Sequence, residues 1–133
     1  MITGNSLGGA IASIAAIDLY HLFSQLEHEI THYVFGSPRL GNRSFARELN
    51  KKYRDCYRIV NNDDVVPFLP PKIFGYHSFN TLVHIQENKS IIVGPDRFHE
   101  FLNNMDILFA LVTGESIKDH ESYTDVINSI EES

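Results

Sequence analysis

The chain has 133 residues, 43% apolar and 21% charged, with 8 glycines and 5 prolines, which fits one globular domain and excludes a disordered, fibrous or repetitive chain. Acidic residues (17) outnumber lysine and arginine (11), and the basic ones are scattered, so no cationic stripe for a nucleic-acid backbone is visible. The longest apolar run, Ile107 to Val112, is far short of the roughly 20 residues that cross a bilayer, and the single cysteine, Cys56, excludes an internal disulfide and a two-cysteine zinc or redox motif.

Helical and strand-like periodicity alternate along the chain, which predicts an α/β layer architecture. Gly8 to about Leu26 reads as a helix apolar on most sides, as expected of one buried against a sheet, with small residues in its first turns. Thr31 to Phe35 reads as a short buried strand closed by Gly36-Ser37-Pro38, and Ser44 to Tyr53 as an amphipathic helix. Cys56 to Val60 is the next strand, with Cys56 a small core residue, stopped by Asn61-Asn62-Asp63-Asp64 and the proline-rich Pro67 to Pro71. Thr81 to Gln86 and Ser90 to Val93 read as an antiparallel hairpin around Glu87-Asn88-Lys89. Asp96 to Val112 reads as helix, Gly114 opens a loop that carries His120, and Ser122 to Glu132 is a weaker final helix.

Gly4-Asn5-Ser6-Leu7-Gly8 matches GxSxG, the nucleophile elbow, in which a strand turns sharply into a helix and the serine hydroxyl projects outward. Gly4 and Gly8 are expected because a Cβ on either side of the serine would meet a neighbouring element, while Ser6 itself occupies strained dihedral space. The plainer reading of the same residues is a glycine-rich turn in which Ser6 caps a core helix. An elbow strand is central in its sheet, yet only Met1-Ile2-Thr3 precede Gly4. The expectation is therefore one domain over residues 1–133 that represents the C-terminal portion of a larger fold, with N-terminal strands missing. Nothing in the chain reads as a leader after Met1, so the compartment stays open, with the cytoplasm as default.

His28-Glu29-Ile30-Thr31-His32 matches a second motif, HExxH, whose helix would set two imidazoles on a zinc ion with Glu29 as general base. Thr31, Tyr33, Val34 and Phe35 are strand formers, and in a strand the two imidazoles would stand about 13 Å apart. The competing reading is a pair of solvated residues on a helix-to-strand connection.

A serine nucleophile needs a base within hydrogen-bond reach and a carboxylate to orient that base, in the chain order Ser, Asp or Glu, His for elbow hydrolases. Asp63 and Asp64 both follow the strand ending at Val60. His120, His77 and His99 stay in contention as the base, whereas His21, His28 and His32 precede the acid and His84 reads as a strand residue. Charge and spacing do not choose among them.

Four blocks carry a resemblance that does choose. Thr3-Gly4-Asn5-Ser6-Leu7-Gly8-Gly9, Phe35-Gly36-Ser37-Pro38-Arg39-Leu40-Gly41-Asn42, Val60-Asn61-Asn62-Asp63-Asp64-Val65-Val66-Pro67 with Leu69-Pro70-Pro71, and Asp119-His120-Glu121-Ser122-Tyr123 together resemble the class 3 (fungal-type) lipase family. The resemblance runs from Thr3 to about Val126 and covers the C-terminal half or so of a family domain. It implies an α/β-hydrolase fold with a mostly parallel sheet and flanking helices. It also implies hydrolysis of carboxylic esters, commonly acylglycerols or phospholipids, with a lipid or other ester as partner and no metal or organic cofactor. By position in the blocks, Ser6 resembles the nucleophile, Asp64 the acid and His120 the base, and the Leu7 backbone N–H an oxyanion donor. The family's second donor and its lid belong to the half upstream of these blocks. Asn5 stands where the family usually has histidine. Phe68, Leu69, Ile73 and Phe74 are candidates for an acyl site or for plain packing, and the oligomeric state is left open. The rival class is a non-catalytic lipase-like remnant that binds lipid or a protein partner.

Overall fold

The computed structural model describes residues 1–23, 30–53, 55–94 and 115–131. Among them the chain runs β1 (Ile2–Asn5), α1 (Leu7–Leu22), β2 (His32–Phe35), β3 (Gly41–Asn42), α2 (Arg43–Lys52), β4 (Cys56–Asn61), β5 (Tyr76–His77), β6 (Thr81–Ile85), β7 (Ile91–Gly94), α3 (Glu115–Glu121) and α4 (Tyr123–Glu131), with single 3₁₀ turns at Val66–Phe68 and Lys72–Phe74. The expected Asp96 to Val112 helix, together with His28, Glu29 and His99, lies outside the described residues. No helix among those described is long and apolar enough to cross a membrane.

Five strands form one sheet in the order β1-β2-β4-β6-β7. The first four are parallel, with Gly4 opposite Val34, Val34 opposite Arg58 and Arg58 opposite Leu82, and β7 returns antiparallel to β6 as the hairpin the sequence predicts. Parallel strands buried on both faces need helices on both sides. On one face Ala16 of α1 and Ala46 and Leu49 of α2 pack with Tyr53, Cys56 and Phe79. On the other, Ile59 and Ile85 pack with Tyr123 of α4, and Tyr33, Phe35, Tyr57 and Val126 close around them. Cys56 is a fully buried core residue, as its strand context predicts.

Helix α1 reverses one expectation. Its buried stripe is made of the small residues Gly9, Ala10, Ala12, Ser13 and Ala16, whereas Ile11, Ile14 and Leu22 are exposed. Small side chains let the helix axis lie close to β1 and β2, so the face that lies against the sheet is the one with the least apolar bulk. The two-residue strands β3 and β5, which pair Gly41 with His77 and Asn42 with Tyr76, escape sequence reading because two residues carry no periodicity. Asn42 then caps α2, its side-chain oxygen accepting from the Phe45 N–H at 3.0 Å.

His32 also departs from the solvated role expected of it. It is 2% exposed in β2, with Nδ1 2.9 Å from the Cys56 Sγ and Nε2 3.3 Å from the Ser13 Oγ. The Ser13 hydroxyl donates to the Gly9 carbonyl at 2.9 Å, so the consistent assignment has the Cys56 thiol donating to Nδ1 and the Nε2 proton donated to Ser13. A helical zinc register through His32 is absent, since the residue lies in a strand with both ring nitrogens engaged.

Burial sets the titration of this pair and yields a stability prediction. Desolvation lowers the His32 pKa to about 4 and raises that of Cys56 to about 11. Between its ordinary value of 6.5 and about 4, the unfolded chain binds a proton at His32 that the folded chain does not, so stability falls as pH falls through that window. Above about 9 the folded thiol keeps a proton that the unfolded one loses, so stability also falls as pH rises. Urea unfolding from pH 7 to pH 4 is expected to show a loss of about 3 kcal/mol from His32 beyond the carboxylate contribution, and His32→Gln is expected to abolish that share.

Candidate active site

The carboxyl ends of β1, β2 and β4 lie side by side at one edge of the sheet, and each delivers one part of the site. The Ser6 N–H donates to the Phe35 carbonyl at 2.8 Å and the Gly36 N–H to the Ile59 carbonyl at 3.0 Å, so the ladder runs up to the point where each strand turns away. Ser6 has φ 54° and ψ −128°, a conformation that an L-residue keeps only when its surroundings over-determine it. The turn is tight on the Gly4 side, where a Cβ would overlap the Gly8 carbonyl and lie 2.7 Å from the Gly9 nitrogen. Gly8 corrects the expectation for the other side, because a Cβ there meets nothing within 4 Å. The close approach falls one residue later, at Gly9, whose Cβ would lie 2.8 Å from the Ser37 Cβ, because helical rotation turns Gly8 outward and Gly9 toward the sheet.

Opposite the serine, α3 carries His120, which the sequence places in a loop. Seven residues of helix, Glu115–Glu121, replace that loop, and the stop at Ser122 separates α3 from α4. The His120 Nε2 lies 2.8 Å from the Ser6 Oγ, and Nδ1 lies 3.0 and 3.1 Å from the two Asp64 carboxylate oxygens. With the proton on Nδ1, the imidazole donates to Asp64 and accepts from the Ser6 hydroxyl, a continuous line across 114 residues of sequence.

Asp64 is fully buried, and its neighbour Asp63 is exposed. A buried carboxylate must be hydrogen-bonded, and this one is. One oxygen accepts from the Val66 N–H at 2.9 Å and the other from the Tyr123 hydroxyl at 2.6 Å, in addition to His120. The Tyr123 hydroxyl in turn accepts from the Asn61 N–H at 3.1 Å. Burial, followed by the adjacent Asp64 charge, pushes the Tyr123 phenol well above its ordinary pKa, so it stays a donor across the accessible pH range.

The strand-to-helix latch is polar as well. Asn61 donates to the Asp119 carbonyl at 2.9 Å and to the Ser122 hydroxyl at 3.0 Å, and the Asp63 N–H donates to the Asp119 carboxylate at 3.3 Å. These bonds tie the β4 turn to the segment that carries His120.

Gly36 and Tyr123 are the site residues that residue-by-residue reading missed. Gly36, read only as a turn residue, has φ +56°, and a Cβ on it would stand 2.8 Å from the Asp64 Oδ2, 2.9 Å from the His120 Nδ1 and 2.9 Å from the Tyr123 ring. The signal present was the Phe35-Gly36-Ser37-Pro38 turn directly after a strand.

The other histidine candidates among the described residues do not join this hydrogen-bonded line. His77 is on β5, His84 Nε2 is 2.9 Å from the Asn62 carbonyl oxygen, and His21 is exposed near the end of α1. Phe68 packs with Val60, Val65 and Leu82, with Leu69 against them, whereas Ile73 and Phe74 stand in solvent. Leu7 opens α1, and as one of the first amides of a 16-residue helix its N–H has no intrahelical acceptor and stands at the positive end of the helix dipole.

Known proteins share this fold and sequence. The sequence model of the family described as Lipase (class 3) matches residues 1–74. The lipase of Rhizomucor miehei is 34% identical over 123 residues, covering 92% of this chain and 33% of that protein. Lipase II from Rhizopus niveus superposes with a TM-score of 0.73 at 31% identity, over 91% of this chain and 45% of that one. A triacylglycerol lipase whose catalytic centre is formed by a serine protease triad superposes with a TM-score of 0.69 at 32% identity, over 80% and 45%. The chain spans about a third of the length of the curated relative and under half of the solved chains. Its mostly parallel sheet with flanking helices is the α/β-hydrolase arrangement of these neighbours.

Proposed function

The chain belongs to the class 3 lipase family, and on that premise we propose that it is a serine ester hydrolase of lipase type, cleaving carboxylic esters of lipids, acylglycerols or phospholipids, through Ser6, His120 and Asp64. The single observation that carries the reading is the hydrogen-bonded line from the Ser6 hydroxyl through the His120 ring to a fully buried Asp64. No metal or organic cofactor enters the proposal.

In the first half-reaction the Ser6 Oγ attacks the ester carbonyl carbon while its proton passes to the His120 Nε2. Asp64, held by Tyr123 and Val66, steadies the imidazolium from the Nδ1 side. The carbonyl oxygen becomes an oxyanion and takes the Leu7 N–H at the start of α1, where the helix dipole favours negative charge. The carbon–oxygen bond to the alcohol then breaks, the alcohol leaves with the proton from Nε2, and the acyl group remains on Ser6. Water repeats the sequence in the second half-reaction: His120 takes its proton, the hydroxide oxygen bonds to the acyl carbon, and the carboxylic acid leaves as Ser6 regains its proton. The strained φ and ψ of Ser6 aim the hydroxyl out of the turn before substrate arrives, so no reorganisation is required during attack.

A serine-directed fluorophosphonate tests the reading. The folded chain is expected to label once, at Ser6, and Ser6→Ala to lose both label and esterase activity. Well-folded protein that does not label, or a Ser6→Ala variant that retains full esterase activity, would sink the proposal.

A further inference from the structure

The Tyr123 hydroxyl is oriented from two sides. Its oxygen accepts from the Asn61 backbone N–H at 3.1 Å, and its proton is donated to the Asp64 Oδ2 at 2.6 Å. The residue is 2% exposed, and its ring meets the His120 ring edge-on, with centroids 6.4 Å apart and planes at 90°. Asp64 therefore serves two donors with one charge, the phenol on Oδ2 and the imidazole Nδ1–H at 3.0 and 3.1 Å from its two oxygens. A neutral donor stabilises the carboxylate, and the positive end of its O–H dipole also opposes a cation on the neighbouring ring. In a buried site, where the effective dielectric is low, that opposition reaches the imidazole. The groups facing His120 are the Ser6 hydroxyl from the elbow, Asp64 from the turn after β4 and Tyr123 from α4. Asp119, beside it in α3, holds the Asn62 side chain and the Asp63 N–H with its carboxylate at 3.2 and 3.3 Å, and Asp63 itself is exposed.

We propose that Tyr123 is a positioning residue that sets the acid limit of the Ser6 site: by donating to Asp64 it restrains the pull of the carboxylate on a second His120 proton. The imidazole then stays neutral, and able to take the serine proton, at lower pH. The sign follows from the charges. Without the phenol, Asp64 keeps its Val66 N–H and its bond to His120, and its undiminished charge favours the imidazolium. An imidazolium cannot accept from Ser6, so the site loses its base wherever that form prevails. The inference rests on the catalytic reading for its consequence, and on the geometry of Tyr123, Asp64 and His120 for its cause.

Tyr123→Phe, which removes the hydroxyl and keeps the ring, tests it. The His120 resonances of chain carrying isotope-labelled histidine, identified by their disappearance in His120→Gln, are followed through the acid and neutral range. Their midpoint is expected to rise by about 0.5 to 1 pH unit in Tyr123→Phe, and the acid limb of kcat/KM for a short-chain ester to rise with it. Below both limbs that is a loss of about three- to tenfold in rate. KM is expected to stay unchanged, since a side chain 2% exposed does not meet substrate. A merely structural contribution would lower stability or turnover and leave both midpoints in place. The converse change strengthens the donor: one fluorine ortho to the hydroxyl, introduced at Tyr123 alone, makes the phenol more acidic and is expected to move both midpoints down. If Tyr123→Phe does not fold, the fluorinated chain decides by itself. The resonance measurement needs no turnover, which separates this proposal from the catalytic one. A chain that resists the fluorophosphonate while its His120 midpoint responds as expected counts against the catalytic reading and upholds the coupling. His120 midpoints unmoved in the folded variants, or moved in the opposite senses, would overturn the proposal whether or not the chain hydrolyses esters.

Discussion

Replacing Asp64 by asparagine is expected to lower kcat for a short-chain chromogenic ester by about 10⁴-fold while leaving the fold intact. The reason is tautomeric. Asp64 accepts the His120 Nδ1 proton, and that leaves Nε2 with a lone pair 2.8 Å from the Ser6 hydroxyl. The Val66 N–H donates to one carboxylate oxygen and the Tyr123 hydroxyl to the other, so an asparagine oxygen keeps only one of these donors, and in either orientation the amide nitrogen stands at an oxygen position 3.0 to 3.1 Å from the His120 Nδ1. An amide donor facing Nδ1 moves the ring proton to Nε2, and a protonated Nε2 cannot accept from serine. Asp63→Asn is the matched control. Its side chain is exposed, its backbone N–H rather than its carboxylate meets Asp119, and its effect on kcat is expected to stay within about twofold. An Asp64→Asn variant that keeps more than a tenth of the parent rate, or an equal loss in Asp63→Asn, would contradict this assignment.

Gly36→Ala is expected to damage stability and turnover together. At φ +56° an alanine costs about 1–2 kcal/mol in backbone strain alone. The added methyl also stands 2.8 to 2.9 Å from the Asp64 carboxylate, the His120 ring and the Tyr123 ring, all of them held by other bonds, and such overpacking costs typically about 1–3 kcal/mol more. Relief of the clash parts Asp64 from His120, and a displacement of about 1 Å in a catalytic geometry is worth about 100-fold in rate. Gly75→Ala separates the two causes. Gly75 also has positive φ, +83°, but a Cβ there meets nothing within 4 Å, so only the backbone strain is expected, with turnover of a soluble ester unchanged. Urea unfolding and kcat on the two variants decide the matter: equal stability losses and an active Gly36→Ala would remove Gly36 from the site.

Where the reading from sequence succeeded and where it failed follows the range of the forces involved. β2, α2, β4 and the hairpin were legible to within a residue or two, because periodicity, β-branched content and turn residues act over a few positions. The elbow was legible for the same reason, as strand end, glycine-bounded serine and helix start are contiguous. The inward stripe of α1 was not, since a helix apolar all round carries no preferred face until a sheet is laid against it. The burial of His32 was hidden likewise: its partners Ser13 and Cys56 stand 19 and 24 residues away. Gly36 revealed a turn but not its neighbours.

The sequence by itself determined what is local and chemical: an α/β alternation, a serine at a strand-to-helix turn, two adjacent aspartates after a strand, a histidine near the last helix, and a resemblance spread over four ordered blocks. Only the tertiary structure decided which aspartate is buried, that the final histidine rides on a helix, and that Gly36 and Tyr123 close around them. The division has a physical reason. Strand and turn preferences are settled within a few residues, whereas the meeting of positions 6, 64 and 120 depends on the parallel register of β1, β2 and β4, in which a one-residue slip would send each side chain to the opposite face.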